Sequence, residues 1–131
     1  MTSTVDSQKG ISIDSYPSDA LPVGSVINCY KITSVLGRGT FGFTYLAVEE
    51  QLDRLVAIKE YLPQEFATRD ESSTVRAKSE NKDDVFRYGR NSFLNEAKTQ
   101  VKFKHPNIVR VMSVFEANNT AYMVMEYEEG E

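Results

Sequence analysis

The chain has 131 residues, 40% hydrophobic and 26% charged, with a net charge of −4. That is enough for one modest core and argues against a nucleic-acid or anionic-membrane surface. Cys29 is the only cysteine, so no internal disulfide can exist and a reducing, cytoplasmic setting is expected. No stretch approaches the roughly 20 apolar residues of a membrane span, and no charged-then-apolar secretion pattern opens the chain.

Residues 1–20 are rich in Ser, Thr and Asp, and are expected to lack fixed structure or to lie loosely on the surface. The ordered domain is expected to span 21–131. Its organising stretch runs from Leu36 to Lys59, LGRGTFGFTYLAVEEQLDRLVAIK. Residues 30–36 predict a first strand. Gly37, Gly39 and Gly42 then allow a tight turn that brings backbone N–H groups close to an anion without Cβ interference. Residues 43–48 return antiparallel, and a polar turn over 49–54 leads to a third strand that ends in Lys59.

A dinucleotide-binding fingerprint must open a helix, yet Phe43-Thr44-Tyr45-Leu46-Ala47-Val48 is a β-type run. A Walker A loop needs Lys-Ser/Thr after its last glycine, and Phe43-Thr44 follows Gly42. Beside Lys59, Glu60 is expected on the opposite face of its strand and is a poor partner for the lysine.

Pro63 ends the strand, with a short helical turn expected at 63–67. Residues 68–84 read as a polar surface loop, making 63–84 an insertion of unassigned role. From 84 to 104 the spacing is helical: Phe86, Phe93, Ala97, Val101 and Lys104 share a face that Leu94 widens. Asp83 or Asp84 caps its start, Gly89 weakens its early part, and Pro106 stops it. His105 is the only histidine and lacks companions for a metal site, so it reads as structural. Residues 108–115 and 121–126 predict two further strands around an Asn118-Asn119 hairpin turn. The fold class expected is α+β, a five-stranded antiparallel sheet with one long helix.

GRGTFGFT at 37–44 is followed by VAIK, whose lysine lies 22 positions after Gly37. Together with KEYLP at 59–63 and HPNIV at 105–109, these words resemble the small lobe of a bacterial, eukaryotic-type Ser/Thr protein kinase. The resemblance runs from about Leu21 to the last residue. It implies that ATP is bound by the glycine loop, Leu36, Gly37, Arg38, Gly39, Thr40, Phe41 and Gly42, and by Lys59 against the phosphates. Thr44, Leu36 and Ala57 would cover the adenine, and Met125 would flank the back of its pocket. The Glu126 carbonyl and the Glu128 amide would hydrogen-bond it. Glu96, at the margin of the apolar helix face, would orient Lys59.

Two departures stand out. Thr44 replaces the family's valine, and Gln100 replaces an apolar residue that links the helix to the other lobe in active kinases. No Asp-Phe-Gly occurs, and the only histidine precedes Pro106, so no His-Arg-Asp loop is present. The resemblance therefore implies the ATP-binding half of a kinase, inactive by itself. Its partners would be ATP, the absent large lobe and a protein substrate, with Mg2+ bound only in the parent enzyme and no metal held by this chain. The alternative is a free-standing regulatory or interaction module on the same scaffold. Self-association through the apolar cleft face around Ala57 and Met125 is a further expectation.

Overall fold

The computed structural model describes residues 16–102 and 110–127. Eight strands and one long helix follow in the order β1 (Val26–Ile27), β2 (Tyr30–Gly39), β3 (Gly42–Glu49), β4 (Arg54–Tyr61), β5 (Ala67–Arg69), β6 (Val75–Ala77), α1 (Asp83–Lys102), β7 (Val111–Ala117) and β8 (Thr120–Glu126). The main sheet has the order β1-β2-β3-β4-β8-β7, and β5 and β6 form a separate hairpin. All its pairings are antiparallel. The sheet therefore has six strands rather than five; the extra one is the two-residue β1, which pairs Val26 with Lys31 and Ile27 with Tyr30. Two residues carry no readable period, which is why the strand escapes the sequence.

Alternation along the strands sorts the sheet into two faces. Ile32, Val35, Phe43, Tyr45, Val56, Ile58, Tyr122 and Val124 are buried on the rear face, where Leu21, Ala67 and Val75 join the same core. A smaller cluster of Ala97, Val111 and Met123 seats the helix, with Phe93, Val114 and Met125 packed around it. Between β7 and β8, Asn118 and Asn119 take φ of 54° and 63°, the left-handed turn that their short polar side chains tolerate.

The stretch expected as a polar loop is more ordered than its composition suggests. After Pro63 accepts from the amides of Phe66 and Ala67 in a single turn, the chain enters the β5–β6 hairpin. Asp70 organises its tip, accepting from the Ser72 and Thr74 amides at 2.9 and 3.1 Å and pairing with Arg76 at 2.7 Å. The Arg76 hydrogen bond, followed by that of Ser72, holds the Asp70 carboxyl well below the usual range. Val75, the hairpin's one fully buried apolar side chain apart from Ala67, anchors it on the sheet.

In α1 the apolar face is shorter than the spacing predicts. Phe86, Leu94 and Ala97 are buried, but Val101 is 37% exposed. The expected continuation to Lys104, along with His105 and the 105–109 segment, lies outside the described residues. Asp83 and Asp84 occupy the first turn, where the helix dipole favours negative charge, and Arg87 pairs with both at 3.0 and 3.3 Å. Among the described residues no helix is long and apolar enough to cross a membrane.

Candidate nucleotide site

The glycine stretch forms a hairpin tip. Gly39 pairs with Gly42, leaving only Thr40 and Phe41 between β2 and β3. A register shift between Val35 and Gly37 places Leu36 in a bulge that turns the end of β2. Gly42 has φ of 143°, and a Cβ there would lie 2.2 Å from the Glu60 carbonyl oxygen and 2.6 Å from the Leu62 nitrogen. The Leu62 amide donates to the Phe41 carbonyl at 2.7 Å. The tip is therefore seated directly on the end of the strand that bears the lysine. Around Gly37, by contrast, a Cβ would meet nothing within 4 Å, so that backbone is open to approach.

On β4, Lys59 pairs with Thr44 on one side and Met123 on the other, and Ala57 pairs with Leu46 and Met125. Directly paired residues of antiparallel strands project to the same face. Thr44, Ala57, Lys59 and Met125 thus share the front face with Gly37, which pairs with Thr44. Lys59 Nζ lies 4.6 Å from the centre of the Phe41 ring, so the tip aromatic folds down over the ammonium.

Glu96 is not brought to Lys59. It is exposed on α1 and accepts a long 3.5 Å hydrogen bond from Gln100, and no ion pair joins it to the lysine. Its neighbour Ala97 faces the sheet. One residue is about 100° of helix rotation, which separates inward from outward here. Arg38, Gly39 and Thr40 are exposed at the tip. Glu126 donates its amide to the Arg110 carbonyl at 3.0 Å at the end of β8, and Glu128 lies outside the described residues. Ala57 is only 7% exposed, whereas Met125, which pairs with it, is partly exposed. A depression of about 560 Å³ beside the start of β4 and the end of β8, lined by Arg54, Val56, Met112, Glu126 and Tyr127 among others, excludes Ala57 and Lys59 and is a separate feature.

Sequence reasoning missed what Glu60 does. Alternation sends it to the rear face, where it is fully buried. Its Oε1 accepts from the Tyr45 hydroxyl at 2.6 Å; its Oε2 accepts from the Tyr122 hydroxyl at 2.7 Å and from Arg69 at 2.5 Å. Burial lowers the affinity of the Arg69 guanidinium for its proton, but the Glu60 charge and hydrogen bond more than offset this, so its pKa is raised. Burial, followed by the Glu60 charge, pushes the Tyr45 and Tyr122 hydroxyls far above their ordinary range. The signal was available: an acid at a core-facing strand position requires buried donors.

A protein kinase domain family matches residues 30–131. The chain is 34% identical over 101 residues to the serine/threonine-protein kinase PrkC of Bacillus subtilis (strain 168), covering 77% of this chain and 13% of the relative. It is 31% identical over 101 residues to the serine/threonine-protein kinase Nek3 of Mus musculus, covering 77% and 16%. Among solved structures, the PpkA-294 apo form matches at TM-score 0.80 and 37% identity, over 84% of this chain and 39% of that one. The PknI kinase domain of M. tuberculosis shares the fold at TM-score 0.57 and 23% identity, over 82% and 36%. The chain spans less than a fifth of the length of these curated relatives.

Proposed function

Because the chain belongs to the protein kinase family, we propose that it is the ATP-binding half of a Ser/Thr protein kinase whose complete form transfers the γ-phosphoryl group of ATP to protein hydroxyls. The observation that carries this is the seating of the glycine tip through Gly42 on the strand that presents Lys59. In this reading the backbone amides of residues 37–42 and the Lys59 ammonium meet the phosphates, displacing the Phe41 ring from the ammonium. Thr44, Leu36 and Ala57 line the adenine, Met125 flanks it, and the main chain at Glu126 and Glu128 hydrogen-bonds its edge.

Glu96 serves in the active arrangement after α1 turns toward the sheet, exchanging its long hydrogen bond with Gln100 for the Lys59 ammonium. Mg2+ is assigned to the complete enzyme; among the described residues no three acidic, histidine or cysteine side chains converge on a metal position. The setting is cytoplasmic in this proposal, and the protein substrate binds outside this chain.

The test is phosphoryl transfer from labelled ATP to a generic protein acceptor. The complete kinase is expected to turn over, its Lys59→Met variant to lose at least about a hundredfold in kcat/KM, and the 131 residues alone to give none. The isolated chain is expected to bind ATP only at roughly millimolar Kd or weaker, because half a cleft supplies few contacts. Turnover by the isolated chain, or full activity of Lys59→Met, refutes the assignment.

A further inference from the structure

A buried ion pair is seldom more stabilising than an apolar pair of the same volume, so stability alone does not account for the pair between Glu60 and Arg69. Their geometry does more. Arg69 spends its other donors on the Asp19 and Ser73 carbonyls, both at 2.8 Å, which ties the segment before β1 and the hairpin tip to the rear of β4. At the hairpin's far side the Val75 amide donates to the Asn118 carbonyl at 2.9 Å, and the Asn119 side chain donates to the Val75 carbonyl at 2.9 Å. Arg90 of α1 donates to the Asn119 carbonyl at 2.8 Å and to its side-chain oxygen at 3.1 Å. A continuous series of hydrogen bonds thus leads from the residue beside Lys59, through the β5–β6 hairpin and the asparagine turn, to the helix that carries Glu96.

We propose that the β5–β6 hairpin is a brace that sets α1 relative to the Lys59 strand, with Glu60 and Arg69 as its positioning residues. Its consequence for ATP rests on the kinase reading above; the mechanical coupling does not. The same β4 end also seats Gly42 through the Glu60 carbonyl, so a shift at Glu60 moves the glycine tip and the lysine together. Charge and shape are separable here, because two apolar residues can fill the space without directing a hydrogen bond.

The experiment compares the complete kinase with its Glu60→Met/Arg69→Met double variant and its Arg69→Lys variant, which keeps the charge and loses the fork. Hydrogen exchange of amides in β4 and α1 is read without nucleotide, and KM for ATP is read separately from kcat. The double variant leaves the buried Tyr45 and Tyr122 hydroxyls without their acceptor and is expected to melt several degrees below the parent, so β2 and β3 amides serve as the internal reference for global destabilisation. Relative to that reference its α1 amides should exchange about tenfold faster, and its KM for ATP should rise about tenfold with a smaller change in kcat. Arg69→Lys, should the double variant fail to fold, is expected to show the same exchange increase at lower amplitude. Exchange in α1 equal to the parent's in the folded variants overturns the brace. Absence of ATP binding by the parent overturns the proposed function instead, and the exchange data still decide the coupling.

Discussion

Gly42 is the position in the glycine stretch where the backbone tolerates no side chain. Its positive φ is strained for any other residue, and the atoms a Cβ would strike are main-chain atoms of Glu60 and Leu62 that cannot step aside. Gly42→Ala is therefore expected to destabilise the chain by about 2–4 kcal/mol. Gly37→Ala, with open space around it, should cost less than about 1 kcal/mol. Urea unfolding of both variants checks this, and equal costs would show that the seat is not specific to Gly42. The spacing of the glycines and Lys59 was readable because backbone conformation and strand alternation are local properties. The packing of Gly42 against Glu60 was not, since it depends on how far β4 runs past the lysine. Glu96 was legible as lying at the margin of the helix face, but which way such a margin residue turns is decided by the seating of Ala97 against Val111 and Met123, not by period.

At the scale of elements, the strands around the glycine tip and the asparagine turn were legible from alternation and turn chemistry. The β5–β6 hairpin was not: Ala67 to Ala77 offers two three-residue strands and little apolar content besides Val75 and the alanines, and its order comes from Asp70 bonding within the tip and from Arg69 and Asn119 bonding across long sequence gaps. The helix contact is testable in the same terms. Gly89 weakens α1 by propensity, yet a Cβ there would lie 2.2 Å from the Tyr61 hydroxyl, which donates to the Phe86 carbonyl at 2.9 Å. The glycine is thus required by close helix-to-sheet approach, and Phe86, Phe93 and Tyr61 pack their rings around it at 5.4 and 5.8 Å between centroids. Gly89→Ala is expected to cost about 1–2 kcal/mol despite gaining nearly 1 kcal/mol of helix propensity. In a Tyr61→Phe background, with the hydroxyl gone and only ring carbons at 3.0 and 3.3 Å left to give way, the same change should cost distinctly less. A double-mutant cycle from denaturant midpoints measures the coupling; strict additivity would mean that the ring and the helix do not meet as described.

For the whole molecule, the buried tyrosines on either side of the sheet set a limit at high pH. Burial, then the Glu60 charge, raises Tyr16 from 10.0 to about 12, and burial raises Tyr61 to about 12. Tyr45 and Tyr122 are raised further, by burial and then by Glu60. A folded-state pKa above the unfolded value means that the native state keeps its proton while the unfolded chain gives it up. The contribution to stability is then complete below the unfolded value of 10.0 and is lost as pH rises through the folded values. Glu60 couples the sites, because a tyrosinate formed beside its fixed negative charge would be repelled and would also cease to donate to it. Ionisation is therefore expected to wait for unfolding and to occur cooperatively with it. Denaturant midpoints should hold level up to about pH 10 and fall steeply above it, with tyrosinate absorbance rising in step with loss of far-ultraviolet dichroism. Tyr61→Phe should reduce the slope of that fall, whereas a midpoint that stays level through about pH 12 would show that the hydroxyls are reached by water in the folded chain.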